Sequence, residues 1–148
     1  MKFLSIVIAL LLAAGAGAGA QNIERINPKG MTQPTAYSHL VKVDNLLFIA
    51  GQVALDGDGN VVGEGDMSAQ VRQVLENLQT VLASAGADFS NVVKVNIFTT
   101  DIDGFLESSA VRRKFFGDHP PTSTLVQIER LARPVFLVEI EAIAIVPD

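Results

Sequence analysis

Two carboxylates stand two residues apart near the C-terminus, Glu139 and Glu141, in the string VEIEAIAI. Side chains alternate faces along a strand, so both acids share one face with Leu137, Ile143 and Ile145. Carboxylates at this spacing lie roughly 7 Å apart. Set among aliphatic neighbours, one of them can have its pKa raised and then hold a water or act as general acid and base. The structural alternative is that one of them is the salt-bridge partner of Arg113, Arg130 or Arg133.

Other chemistries find little support. The chain has two histidines, His39 and His119, one beside a strand start and one before Pro120-Pro121. Both positions suit packing or surface roles, and no Ser-His-Asp set can be argued from spacing. No cluster has metal-ligand spacing. The segment Asp56-Gly57-Asp58-Gly59-Asn60 resembles a calcium loop only at its start. An EF-hand needs Gly at its sixth position and Glu at its twelfth, where this chain has Val61 and Met67. A glycine-rich turn is expected there. No strand–GxGxxG–helix context exists for a dinucleotide, so neither cofactor nor metal is expected. The absence of cysteine removes disulfides and thiol catalysis. A net charge of −5 without a basic cluster argues against nucleic acid as a partner.

The chain of 148 residues shows no internal repeat and reads as one domain. Residues 1–20 read as a signal peptide: Met1-Lys2, an apolar run from Phe3 to Ala14, then Ala18-Gly19-Ala20 before Gln21. An uncleaved anchor is the alternative, though the apolar run is short for one. The expectation is an exported protein, periplasmic or secreted, without a membrane segment after cleavage, whose domain is 21–148. That leaves about 128 residues, enough to bury roughly two thirds of the surface on folding.

The elements that must position the two acids follow from periodicity. A lead-in rich in Pro and polar residues spans Gln21 to Tyr37, extended or turning. His39–Val43 and Leu46–Gly51 form a hairpin about Asp44-Asn45, because Asp and Asn tolerate a positive φ. Val53–Leu55 and Val61-Val62 flank the glycine-rich turn. From Asp66 to Gly86, Met67, Val71, Val74, Leu75, Leu78, Val81, Leu82 and Ala85 recur at helical spacing, with Asp66 as N-cap and Gly86 as the stop. Val92–Thr99 is a strand. Asp103–Gly117 is a second helix, capped by Asp101 or Asp103, with Phe105, Leu106, Ser109, Ala110 and Phe116 on one side. Pro120 to Val146 holds two strands joined at Ala132-Arg133-Pro134. One sheet with both helices on one face would satisfy every apolar stripe. It would also leave the other face uncovered, so an oligomer is expected.

With these elements in place the sequence resembles the Rid family, the YjgF-like reactive intermediate deaminases, from about Pro28 to Val146. The strings that carry the resemblance are Ile49-Ala50-Gly51-Gln52, the helix Ala69 to Leu78, Val93-Lys94-Val95, Phe115-Phe116, Glu129-Arg130-Leu131, and Val138 to Ala144. The resemblance implies a chorismate-mutase-like α+β fold, a mixed β-sheet with two helices on one face. It also implies a homotrimer with the sheets in a central barrel and three small-molecule clefts between subunits. In deaminating members these clefts hydrolyse enamine and imine intermediates to a 2-oxo acid and ammonia. An arginine pairs bidentately with the substrate carboxylate, as a planar guanidinium can, and a glutamate positions water. A tyrosine, a serine and backbone groups complete the cleft.

Carried over by position, the glutamate is Glu139, the tyrosine is Tyr37, and the serine position holds Ala50 beside Gly51. The asparagine of the second helix is replaced by Ser109, a frequent cysteine by Leu125, and the arginine by Ser123. Loss of the guanidinium removes charge-assisted hydrogen bonds worth ~1.5–3 kcal/mol. The leading expectation is therefore a cleft that binds a small metabolite without the usual clamp, Thr122, Ser123 and Thr124 forming a neutral hydrogen-bonding wall. The alternatives are a 2-iminobutanoate/2-iminopropanoate-type deaminase with Glu139 positioning water, and a holdase-like chaperone. Arg113 or Arg130 could replace the missing clamp, although Arg130 belongs to a string that accompanies the functional arginine in the family.

Overall fold

The structure is a computed structural model and describes residues 21–147; the leader-like segment 1–20 lies outside the described residues. Six strands form one sheet: β1 (Ile23–Ile26), β2 (Leu40–Val43), β3 (Leu46–Gln52), β4 (Val92–Thr99), β5 (Thr122–Gln127) and β6 (Val138–Ile145). Their order across the sheet is β1-β2-β3-β6-β4-β5. Only the β4–β5 pair is parallel. With α1 (Met67–Ala83), α2 (Ile102–Glu107) and α3 (Ser109–Phe116), the fold is α+β.

The expected hairpin joins β2 to β3, and Asp44 takes the left-handed conformation at φ 52°. Asp66 caps α1 by accepting from the Ala69 N–H at 3.0 Å. Gly86, at φ +74°, lets the chain leave the helix. Three expectations change. The lead-in supplies an edge strand, because β1 pairs with β2. The second helix is two. Ser108 turns both its N–H and its hydroxyl onto the Phe105 carbonyl, at 3.2 and 2.6 Å, and the axis restarts there. Accordingly Phe105 is buried while Leu106 and Ala110 are exposed, which breaks the expected stripe. Finally, β5 and β6 follow one another in sequence but do not pair, since β4 lies between them.

The crossing between β5 and β6 is held by a buried glutamine. Gln70 of α1 donates to the carbonyls of Gly63 (3.2 Å) and Val135 (2.7 Å) and accepts from the Leu137 N–H (2.8 Å). A polar side chain fully inside the core is tolerated because its amide is satisfied on both ends. These bonds fix the start of β6 and therefore the height at which Glu139 enters the sheet.

Alternation along the strands then sorts the two faces. Leu47, Ile49, Val95, Ile97, Val138, Ile140, Ala142 and Ala144 pack beneath α1 in a continuous core. The opposite face carries Leu46, Phe48 and Ile145, all exposed, with Ile143, Glu139, Glu141 and Asn96 half-buried. Among the described residues no helix covers it.

Candidate functional site

On the open face, Glu139 pairs across the ladder with Phe98, and Glu141 with Asn96. Asn96 donates its Nδ2 to Glu141 Oε1 at 2.7 Å, so Glu141 takes an amide partner rather than one of the arginines expected for it. Glu139 lies over Gly51. The register of β3 on β6 gains one residue between Ile49 and Gln52, a bulge that brings Ala50 and Gly51 beside the acid. A Cβ on Gly51 would fall 2.7 Å from the Glu139 Cδ and 2.9 Å from its Cγ, with Oε1 nearer still. The absent side chain of Gly51 is the room that Glu139 occupies. Burial first, and the charge of Glu141 second, hold the Glu139 carboxyl above its ordinary pKa, with no hydrogen bond among the causes to offset them.

The same bulge builds the neighbouring loop wall. Gln52 donates to the Ala50 carbonyl at 2.9 Å and faces His39 Nδ1 at 3.3 Å. With His39 Nε2 at 2.9 Å from the Thr32 carbonyl, the ring donates from Nε2 and accepts at Nδ1. His39 is buried and structural, and Tyr37 packs edge-on against it at 5.8 Å between ring centroids. Tyr37 itself is 55% exposed and shares a shallow cleft with Gly51, Gln52 and Thr32.

The other expected residues lie elsewhere. Ser123 aligns with Val95 and Leu125 with Ile97, which puts both on the helix side of β5. Thr122 and Thr124 point to the open face, so the three hydroxyls do not form one wall. Thr122 instead donates to the Val93 carbonyl at 2.9 Å. Ser109 opens α3, and Ser109, Arg112, Arg113 and Phe116 recur at i, i+3, i+4 and i+7 on one side of it. Together with Ser123, Pro120, Pro121, Val95, Ile97 and Ile140 they line a cavity of about 240 Å³. The Arg112 Cζ sits over the Phe105 ring, 4.4 Å from its centroid, and the buried Nε–H has no acceptor among the described residues. Burial, then the charge of Arg113, pull its pKa down from the ordinary guanidinium value. Arg113 reaches the Ser109 hydroxyl at 3.4 Å.

Thus the structure gathers Ser109 and Ser123 on the covered side of the sheet, with Leu125 on the same side. It gathers Glu139, Ala50, Gly51 and Tyr37 on the open side and its loop edge. The sheet separates the groups within one chain.

Residues 29–146 match the protein family described as Endoribonuclease L-PSP. The chain belongs to this family, the YjgF/RidA/RutC group. A RutC family protein of Pyrococcus horikoshii is 40% identical over 108 residues, 73% of this chain and 85% of that protein. The 2-iminobutanoate/2-iminopropanoate deaminase of Rattus norvegicus is 33% identical over 110 residues, 74% of this chain and 80% of that protein. Among solved structures, YyfA of the Rid family from Yersinia pestis superposes with a TM-score of 0.78 at 30% identity, covering 84% of this chain and all of that one (100%). The YjgF gene product of E. coli gives 0.75 at 28% identity, covering 82% and 98%. The YjgF-like fold expected from the sequence is the fold observed.

For this YjgF-family chain the sequence reading omitted Arg112 from the site. Its signal was available: a second basic residue beside Arg113, placed three positions after Ser109 on a helix, shares a face with that serine. Asn96 as the partner of Glu141 carried no local signal, because the strands that pair them are 45 residues apart.

Proposed function

We propose that this protein hydrolyses small imines and enamines of 2-amino acids in clefts completed between copies of the chain. The carrying observation is Glu139: a half-buried carboxyl over a bulge glycine, with its pKa raised by burial and by Glu141. Such a group can take a proton from a water that attacks the imine carbon and return it to the departing nitrogen. The carbon–nitrogen bond breaks, and a 2-oxo acid and ammonia leave. The separation of Glu139 from Ser109 and Ser123 by the sheet supports a cleft shared by two copies. The exposed apolar face bearing Leu46, Phe48 and Ile145 supports burial of that face by another copy. The family resemblance supports a homotrimer as that assembly. The hydrolase reading is supported further by the rat relative, whose name states an iminobutanoate and iminopropanoate deaminase.

A cleft that binds a metabolite without turnover is the competing reading, favoured by Ser123 where deaminating members carry arginine. A holdase would use the same open face that the proposed trimer would cover. Nucleic acid fits poorly with a net charge of −5, even though the family description names an endoribonuclease. The leader-like residues 1–20 support an exported protein, periplasmic or secreted.

The test supplies enzymatically generated 2-iminobutanoate and 2-iminopropanoate to the purified protein and follows ammonia and 2-oxo acid. Release should be accelerated, and Glu139→Gln should lose about 100-fold or more of the acceleration, the scale of general acid–base catalysis. No rate above buffer with either substrate overturns the hydrolase reading. A monomer mass in solution overturns the shared cleft.

A further inference from the structure

The cavity on the helix side of β5 has an unusual charge composition for its size. Two guanidinium groups, Arg112 and Arg113, line it together with Ser109 and Ser123, and its remaining walls are Val95, Ile97, Phe116, Gly117, Pro120, Pro121 and Ile140. None of these is acidic. Adjacent guanidinium groups with no carboxylate in the lining offer an entering anion two cationic donors and no repelling acid. Arg112 adds a second sign, because its Nε–H is buried without an acceptor among the described residues. The cation–π contact with Phe105 explains what holds the guanidinium in place. It does not explain why a second arginine faces the same space, nor why the donor is left unmatched.

We propose that Arg112 and Arg113 of α3 form the carboxylate-binding end of the cleft, taking over from the helix the task that Ser123 of β5 cannot perform. This rests on the reading that the cleft accepts small 2-imino and 2-oxo acids. The apolar floor suits a short aliphatic side chain. A cavity of about 240 Å³ is smaller than a drug-sized pocket and suits a molecule of only a few carbons. The contact with Phe105 orients Arg112 in advance, so less rotamer freedom is lost when an anion arrives. Ser109, already reached by Arg113 at 3.4 Å, can exchange that weak bond for one to the ligand while the guanidinium turns to the carboxylate. The arginines are specificity-determining residues, and the chemistry belongs to Glu139 of a neighbouring copy.

The full chain is titrated with 2-oxobutanoate and with butanone, which has the same carbon skeleton without the carboxylate. Binding of 2-oxobutanoate should exceed that of butanone by at least about tenfold, as expected for charge-assisted hydrogen bonds. Arg112→Gln and Arg113→Gln should each weaken 2-oxobutanoate by about tenfold and leave butanone unchanged. Arg130→Gln, outside the cavity lining, should bind both ligands as the parent does. Should Arg112→Gln not fold, Arg113→Gln and Arg112→Lys carry the test. Arg112→Lys keeps the cation but loses the planar fork and should weaken only 2-oxobutanoate. Parental affinity in both arginine variants overturns the proposal, as does an equal loss with Arg130→Gln or an equal loss of butanone binding. Imine turnover measured on the parent protein separates the two readings. Arginine-dependent 2-oxobutanoate binding without turnover keeps the anion site and removes the hydrolase. Turnover with arginine-independent binding does the reverse.

Discussion

Strand β6 carries two isoleucines three residues apart that face opposite worlds. Ile140 is 1% exposed beneath the helices, whereas Ile143 sits half-buried on the open face beside Phe48 and Lys94. The chain has spent equally apolar residues on both faces, although only one of them has a partner among the described residues. A single-sided sheet would carry polar residues outward. This one presents Leu46, Phe48 and Ile145 at 37–45% exposure and embeds its acids among them. The difference teaches that the covered face makes the fold, while the open face is the one the proposed assembly and its chemistry would use.

The comparison breaks most easily at these two isoleucines. Ile140→Ala should cost about 2–5 kcal/mol in urea unfolding, through lost burial and the cavity left behind, at any protein concentration. Ile143→Ala should cost less in the separated chain, and its effect should grow with protein concentration as assembly couples to folding. Equal, concentration-independent losses would mean that the open face is an ordinary half-exposed surface.

Gly51 sharpens the comparison at the site itself. An alanine methyl would enter the space filled by the Glu139 carboxyl. The three atoms nearest that methyl all belong to the Glu139 side chain, so the carboxyl must move. Gly51→Ala should therefore reduce imine hydrolysis by about 100-fold, as Glu139→Gln does. Binding of 2-oxobutanoate should stay near the parental value, since in the proposed cleft its carboxylate is held by Arg112 and Arg113 of the other copy and not by Glu139. Undiminished turnover would show that Glu139 does not act from its position over the glycine.

How far the sequence foretold these two half-sites depends on what kind of information each needs. Strand alternation alone put Glu139 and Glu141 on one face and Ile140 on the other, and the structure keeps both. Capping by Asp66 and Asp101 was equally local. What periodicity could not supply was the neighbour relation between strands. β5 and β6 are consecutive in the chain, yet β4 lies between them, and the parallel β4–β5 register sets Ser123 beside Val95 and on the far side from Glu139. The break at Ser108 was hidden for a different reason. A serine inside a helical pattern does not announce that its hydroxyl will compete for the Phe105 carbonyl. That break ends the stripe of the second helix and starts α3 at Ser109, which is what aims Arg112 and Arg113 together into the cavity.

The smallest expected effect concerns the acid rather than the arginines, and its sign distinguishes the two halves. Burial and Glu141 raise the folded-state pKa of Glu139 above its ordinary value of 4.5. The folded chain therefore holds that proton more tightly than the unfolded one. The resulting stability is fully present below the ordinary value and is lost as pH rises through the raised folded value. Glu139→Gln keeps the shape of the side chain but cannot ionise. In denaturant unfolding the variant should match the parent in acid and exceed it at neutral pH, at the same time as it loses turnover. That pairing of gained stability with lost activity is what a functional carboxyl held in an unfavourable place predicts. A variant less stable than the parent at neutral pH would instead assign Glu139 a structural role on the open face.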